Sequence, residues 1–294
     1  MATPLRKCFV SRFGPKGVIL SIDYSQLEIY VLAHLSGDKQ LMADLELGID
    51  LHGLRAAELF GPNYTEEQRT IAKSLSFQLQ YGAGYKSMAV ENNVSEDISK
   101  KFIENFYNRY PEVKSWQEAM INCIQRIRIP DNKRQTPKGF TPGVAKWESE
   151  TGRIYTFVEK DAPEWMSNPA RSRRAVMKNP VHTSFSPTEI KNWPVQGLAT
   201  GDIVPIILGR IHRFIATLAG YRKSFYFVNT VHDSVIFDCK SVYVARDLAA
   251  KLKPIMEYAP QILKDRYGID FDLPLKVEAK YGPSWAECNE KIDI

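Results

Sequence analysis

Nothing in this 294-residue chain approaches the roughly eighteen consecutive apolar residues of a membrane-spanning helix, so no membrane association is expected. The opening segment MATPLRKCFVSRFG has basic residues but no apolar stretch closed by small ones, so no secretory leader is expected either. Cysteine is scarce. Cys8, Cys123, Cys239 and Cys288 are scattered, with no CxxC pair and no histidine at ligand spacing, which argues against a disulfide frame and a structural zinc site. Reduced thiols in a cytoplasm, bacterial or that of a phage-infected host, are the expectation. Internal repeats and low-complexity tracts are missing, and with them the case for collagen, coiled coil or disorder. A strong excess of one charge is lacking too: 39 Lys and Arg against 34 Asp and Glu give +5, which permits a polyanionic partner without demanding one. What remains is ordinary globular composition, 44% apolar and 25% charged, enough for one large core or two modest ones.

The pattern along the chain mixes strands and helices. GVILSIDYS (17–25) reads as a buried strand ending at Asp23, followed by a helix from about Gln26 to Leu35 and two more helical patterns through Leu41 to Phe60, broken at Pro62. Thr65 with Glu66 and Glu67 has the character of an N-cap with acids in the first turn, opening a helix that runs to Tyr81 and stops at Gly82 and Gly84. Ser95 and Pro111 open two further helices, over about 95–109 and 111–127. From Ile129 to Pro180 prolines cluster, and basic residues gather at its start and within it, at Arg126, Arg128, Lys133, Arg134 and Lys138 and again at Arg171, Arg173, Arg174 and Lys178. A long loop region with one hairpin, WESETGRIYTFVE turning at Thr151 and Gly152, is expected there. A helix interrupted by Pro194 and Pro205 then runs to Ala219. SFYFVNTVHDSVIFDC reads as a hairpin with His232 and Asp233 at its turn, and helices near 242–258 and 261–267 precede a closing strand in LPLKVEAKYG.

Two features carry chemistry. In the helix that opens at Thr65, Arg69, Lys73, Phe77 and Tyr81 recur every four residues and share one broad face, with Ile71, Ala72, Leu75 and Leu79 on the opposite flank. Two cations followed by two aromatics suit a nucleotide, phosphates at one end and sugar or base at the other; a solvated basic flank with two core aromatics is the plain structural alternative. The second feature is the pair Asp23 and Asp233, each at the end of a strand. Carboxylates converging from separate strands are what a pair of Mg²⁺ ions in phosphoryl transfer requires, whereas each alone also reads as a turn former or cap.

DYSQLE, R-x3-K-x3-F-x3-YG, QG and VHD occur here in the order found in family A DNA polymerases, the bacterial DNA polymerase I type, and the chain resembles that family. The resemblance extends through AHLSGDKQL, DLHGLRAAELFG, EEQRTIAKSLSFQLQYG, NFYNRYPEVKSW, NWPVQGLATGDI and LKVEAKYGPSW. It implies an α/β (α+β type) fold, a polymerase palm with an antiparallel sheet from residues 1–50 and 182–294 and an inserted, mostly helical fingers subdomain over 51–181. It implies that Asp23, Asp233 and the Tyr24 backbone carbonyl hold two Mg²⁺ ions, for which Mn²⁺ substitutes. Glu28 falls on the family's steric gate against a ribonucleotide 2′-hydroxyl. Arg69 and Lys73 would grip the dNTP triphosphate, Lys73 also protonating the leaving pyrophosphate, with Phe77 on the sugar and Tyr81 at the insertion site. His52 matches a residue near the triphosphate and equally suits helix packing. Asn192, Gln196 and His232 fall on positions that contact primer-template DNA.

The chain departs from the family pattern at Ile29 and Tyr30, where Leu-Arg is usual, at Ser234, where an acid usually follows HD, and at Thr188, where an arginine is usual. Family members also carry a thumb, opening palm strands and commonly a 3′–5′ exonuclease before the first motif. From this follows the expectation that thumb and exonuclease reside on a second polypeptide, as in a split phage polymerase. A catalytically silent, polymerase-like DNA-binding subunit is the alternative, and a single-subunit RNA polymerase relative is disfavoured by Glu28 and Phe77.

Overall fold

The computed structural model describes residues 4–167 and 181–294, so the expected basic cluster Arg171, Arg173, Arg174 and Lys178 lies outside the described residues. In chain order the elements are β1 (Val18–Tyr24), α1 (Leu27–Ser36), α2 (Lys39–Glu46), α3 (Leu51–Phe60), α4 (Glu66–Gln80), α5 (Tyr85–Asn92), α6 (Glu96–Arg109) and α7 (Pro111–Arg126). There follow β2 (Ile129–Pro130), β3 (Gly143–Glu148), β4 (Ile154–Val158), β5 (Lys160–Asp161), the short α8 (Glu164–Ser167), β6 (Thr183–Ser184) and α9 (Pro187–Gln196). A π-helical segment, Gly197–Ile203, leads into α10 (Val204–Ala216), then β7 (Phe225–Val231), β8 (Ser234–Cys239), α11 (Val242–Glu257), α12 (Ala259–Tyr267), β9 (Val277–Gly282) and β10 (Glu290–Ile292). The contacts divide the chain into two compact units, Met1–His34 with Gln196–Ile294, and Leu35–Val195.

The first unit is built on an antiparallel sheet in the order β10-β9-β1-β8-β7. β1 is its central strand, which explains the apolar run VIL at its start. Leu20, Ile22 and Tyr24 are buried, and α11 backs this sheet with buried Ala245, Leu248, Ala249, Leu252 and Met256. The Tyr24 hydroxyl donates to the Met256 carbonyl at 2.7 Å, fixing strand to helix. Alternation puts Ser21 and Asp23 on the opposite face, where both are only half-buried.

The second unit is mostly helical. Buried Asp38 accepts from Leu41 N–H at 2.9 Å, capping α2, and also from Glu112 N–H at 3.1 Å and Val113 N–H at 3.4 Å at the start of α7. Asp44 takes a two-armed hydrogen bond from Arg109 at 2.8 Å and another from the Tyr110 hydroxyl at 2.8 Å. These ties bind α2 to the α6–α7 junction within the second unit. Among the described residues, the expectation of loop with a single hairpin for 129–180 needs correcting over 129–167. The β3–β4 hairpin turns through Ser149–Arg153 with Gly152 at φ +79°, but β2 joins it as a third strand and β5 pairs with β6. Prolines at strand ends hide these strands from a sequence reading. The sheet packs on a cluster of Met120, Ile124, Ala145, Phe157, Phe185 and Ile190. Helix α5 and strand β10 had no counterpart in the sequence reading.

Candidate active site

In the first unit β7 and β8 are joined by a two-residue turn, His232–Asp233, closed by the pairing Val231↔Ser234 and by the Ser234 hydroxyl donating to the Val231 carbonyl at 2.8 Å. His232 has φ +54°, the left-handed region, which costs a non-glycine residue on the order of 1–3 kcal/mol. The Val231–Ser234 pairing and the Ser234 hydroxyl bond offset that cost. Because Ile22 of β1 pairs with Val235 of β8, the turn lies beside Asp23. Asp23, Asp233 and His232 line one open cavity of about 310 Å³ together with Ser21, Lys280 and Arg6.

Burial pushes the Asp23 carboxyl up to about 6; Lys280 pulls it back, while Asp233 and Glu278 push it further. Burial also raises the Asp233 carboxyl, and Glu28 adds to that, which places Glu28 within electrostatic reach of Asp233. Two carboxylates whose negative charges are undercompensated in one concavity form the donor set of a hard divalent cation. Among the described residues no group of three or more His, Cys, Asp and Glu forms a closed metal cage. An open pair fits Mg²⁺, which is commonly held by one or two carboxylates plus substrate phosphates.

In the second unit α4 begins at the expected N-cap, Thr65, and the structure adds a capping box: the Thr65 hydroxyl accepts from Gln68 N–H and the Gln68 side chain accepts from Thr65 N–H. Ala72, Leu75, Ser76 and Leu79 are buried, Ile71 only half so. Lys73 and Phe77 are exposed on the other flank, with the Lys73 Nζ 5.9 Å from the Phe77 ring centroid. Phe77 is therefore not a core aromatic. Arg69 is held by Asp50 through bonds of 2.9, 3.1 and 3.2 Å, and Asp50 also caps α3 by accepting from His52 N–H. The His52 ring lies 5.9 Å from Phe77, and its Nδ1 is buried without a hydrogen-bond partner. Burial, then the cations Arg55 and Lys73, push its imidazole down to about 4, so it is neutral near pH 7. Tyr81 is the C-cap of α4, followed by Gly82 at φ +75°; a Cβ there would come within 3.0 Å of the Thr188 Cα.

Helix α9 passes through Pro194 without ending, so Asn192 and Gln196 stand one turn apart on it. The π segment follows, with Val204 N–H bonded to the Ala199 carbonyl five residues back; such bulges are concentrated at functional sites. Asn192 is buried with its Oδ1 unpartnered. The structure thus groups Asp23, Asp233, Glu28 and His232 in the first unit, and His52, Arg69, Lys73 and Phe77 along α4 and α3 in the second. The sequence reading missed Lys280 and Arg6 in the cavity; the alternation in KVEAKYG, which sets Glu278 and Lys280 on one face, was the available signal.

Residues 1–134 match the family model for DNA polymerase family A. The chain is 27% identical over 291 residues to thermostable DNA polymerase I of Thermus filiformis, covering 97% of this chain and 29% of that protein. It is 26% identical over 294 residues to the DNA polymerase of Bacillus phage SP01, covering 97% of this chain and 28% of the relative. DNA polymerase I of Helicobacter pylori is 38% identical over 116 residues, 40% of this chain and 13% of the relative. The chain spans under a third of the length of the curated relatives it matches. Among solved structures, the POL domain of Pol1 from M. smegmatis in complex with DNA primer-template and dNTP shares the fold, with a TM-score of 0.62 at 24% identity over 96% of this chain and 42% of that one. Among the described residues no helix is long and apolar enough to cross a membrane.

Proposed function

We propose that this chain, which is similar to DNA polymerase family A, performs template-directed DNA synthesis, with a primer 3′-hydroxyl attacking the α-phosphorus of a dNTP and pyrophosphate leaving. The observation that carries the reading is the convergence of Asp23 and Asp233 on one cavity from adjacent strands. Asp23, the Tyr24 carbonyl and Asp233 are the residues that would hold Mg²⁺, or Mn²⁺ in its place. When bound, the ions supply a lowered pKa for the attacking hydroxyl and neutralise charge on the leaving group.

The remaining roles belong to side chains. Arg69 grips triphosphate oxygens by exchanging Asp50 for a phosphate, an exchange that its exposed position allows. Lys73, exposed beside Phe77, donates a proton to the departing pyrophosphate, and Phe77 packs on the sugar. His52, neutral, acts as a hydrogen-bonding and packing group rather than a cation. Tyr81 closes on the nascent base pair, while Asn192, Gln196 and His232 contact primer or template. Glu28, near Asp233, crowds a ribonucleotide 2′-hydroxyl.

Primer extension by the unaltered chain and by Asp23→Asn and Asp233→Asn tests the reading. Either substitution should lower incorporation by orders of magnitude with folding intact; activity retained in either removes the assignment. Glu28→Ala should raise ribonucleotide use relative to dNTP, and an unchanged preference places selection elsewhere. The partners under this reading are primer-template DNA, dNTPs and a second polypeptide supplying thumb and 3′–5′ exonuclease. Adding that polypeptide should turn weak extension into robust synthesis, and processive synthesis by the chain alone removes it from the scheme. A silent DNA-binding subunit would give no extension under any of these conditions.

A further inference from the structure

The sheet that carries Asp23 also carries a row of cations that no motif assigns. In the antiparallel register Ser21 of β1 stands opposite Lys280 of β9, and Lys280 stands opposite Lys291 of β10. Directly opposed side chains share a face, so Lys280 and Lys291 lie on the face of Ser21 and Asp23. Asp23 is opposite Glu278, which makes Lys280 its diagonal neighbour, about 7–8 Å away in such ladders. Lys280 lines the same cavity as both aspartates. The cavity has another cation in Arg6, whose guanidinium lies 4.5 Å from the centroid of the Trp285 ring, flat support that leaves its edge donors available. Trp285 is itself braced edge-on by Phe9, and its backbone N–H donates to the Phe9 carbonyl at 2.9 Å.

Lysines set directly opposite one another on adjacent strands repel, and Glu278, 3.2 Å from the Lys280 Nζ, offsets only part of that charge. Lys291 is exposed and belongs to the edge strand β10. A single phosphate is met by converging groups. These cations instead form a line that starts beside the carboxylates and leads outward across two strands, a spacing suited to an anionic polymer. We propose that Arg6, Lys280 and Lys291 form a track for the sugar-phosphate backbone of the DNA strand whose 3′ end reaches Asp23 and Asp233. The track rests on the polymerase reading for the identity of its ligand. Its residues position the strand and do not take part in bond making.

The test is fluorescence anisotropy of a dye-labelled primer-template with the full chain in EDTA, across a salt series, for the unaltered protein, Arg6→Gln and the double variant Lys280→Gln/Lys291→Gln. The unaltered chain should bind with a steep salt dependence. The double variant should bind about tenfold or more weakly at low salt, with a slope of log K on log salt shallower by about 2, and Arg6→Gln shallower by about 1. Affinity for free dNTP and inhibition by inorganic pyrophosphate should not change. If Lys280→Gln disturbs folding, Lys291→Gln alone, on the surface, carries the measurement. An unchanged slope, no DNA binding by the unaltered chain, or a loss that falls on dNTP or pyrophosphate instead of DNA overturns the track. Asp23→Asn serves as the separating control: it should bind DNA with the unaltered slope while losing extension. If it keeps extension, the two-carboxylate reading fails and the track stands on its own measurement.

Discussion

Asp23 illustrates what a site residue costs its protein. Its carboxyl, ordinarily near 3.8, sits at about 6 in the fold, so the native state prefers the neutral acid. A raised carboxyl favours folding at low pH, and that advantage is lost as pH rises through about 6; above this the ionised group destabilises the fold. A shift of this size, discounted for partial exposure, is worth about 1–3 kcal/mol at pH 7. Asp23→Asn should therefore stabilise the ion-free protein by that amount at pH 7, and the gain should vanish below about pH 4. Thermal unfolding at both pH values in EDTA checks it, and equal stability of the two proteins at pH 7 would count against the burial argument. The same residue shows where sequence legibility ends. DYSQ and VHD mark Asp23 and Asp233 as candidates, but only the register of β1 on β8 brings them to one cavity. Lys280 and Lys291 escaped notice for the same reason: their juxtaposition depends on pairing between strands that no local pattern encodes.

At the scale of elements, α4 was legible because its signals are local. Thr65 with Glu66 and Glu67, and the spacing of Ala72, Leu75 and Leu79, define its start and its buried face without reference to the rest of the chain. The β7–β8 hairpin was legible for the same reason, since two β-rich runs meet at a polar pair. Asp38 is the contrary case. Its side chain caps both α2 and α7, and the α7 contact, 74 residues away, is invisible in sequence. Asp38→Ala would strand three backbone N–H groups at two helix starts, with an expected loss of about 2–4 kcal/mol. A urea midpoint lowered in proportion checks this, and a midpoint within error of the unaltered chain would show that water replaces the carboxylate.

At the scale of the whole molecule, the family resemblance carried by the ordered motifs already implied an antiparallel sheet with an inserted helical unit, and the likeness to a solved polymerase domain agrees with it. The sheet of the first unit carries Asp23, Lys280 and Lys291 on one face, and the second unit by itself carries α4 with Lys73 and Phe77 exposed. The account holds together only if Asp23 and Asp233 act as one device. Single-turnover primer extension by Asp23→Asn, Asp233→Asn and the double variant, each saturated with DNA and dNTP, tests that directly. Residues acting as a unit lose their effect together, so each single substitution should slow the step by roughly a thousandfold or more and the double should be no slower than the worse single. Losses that multiply in the double variant, or a single variant at the unaltered rate, would contradict it.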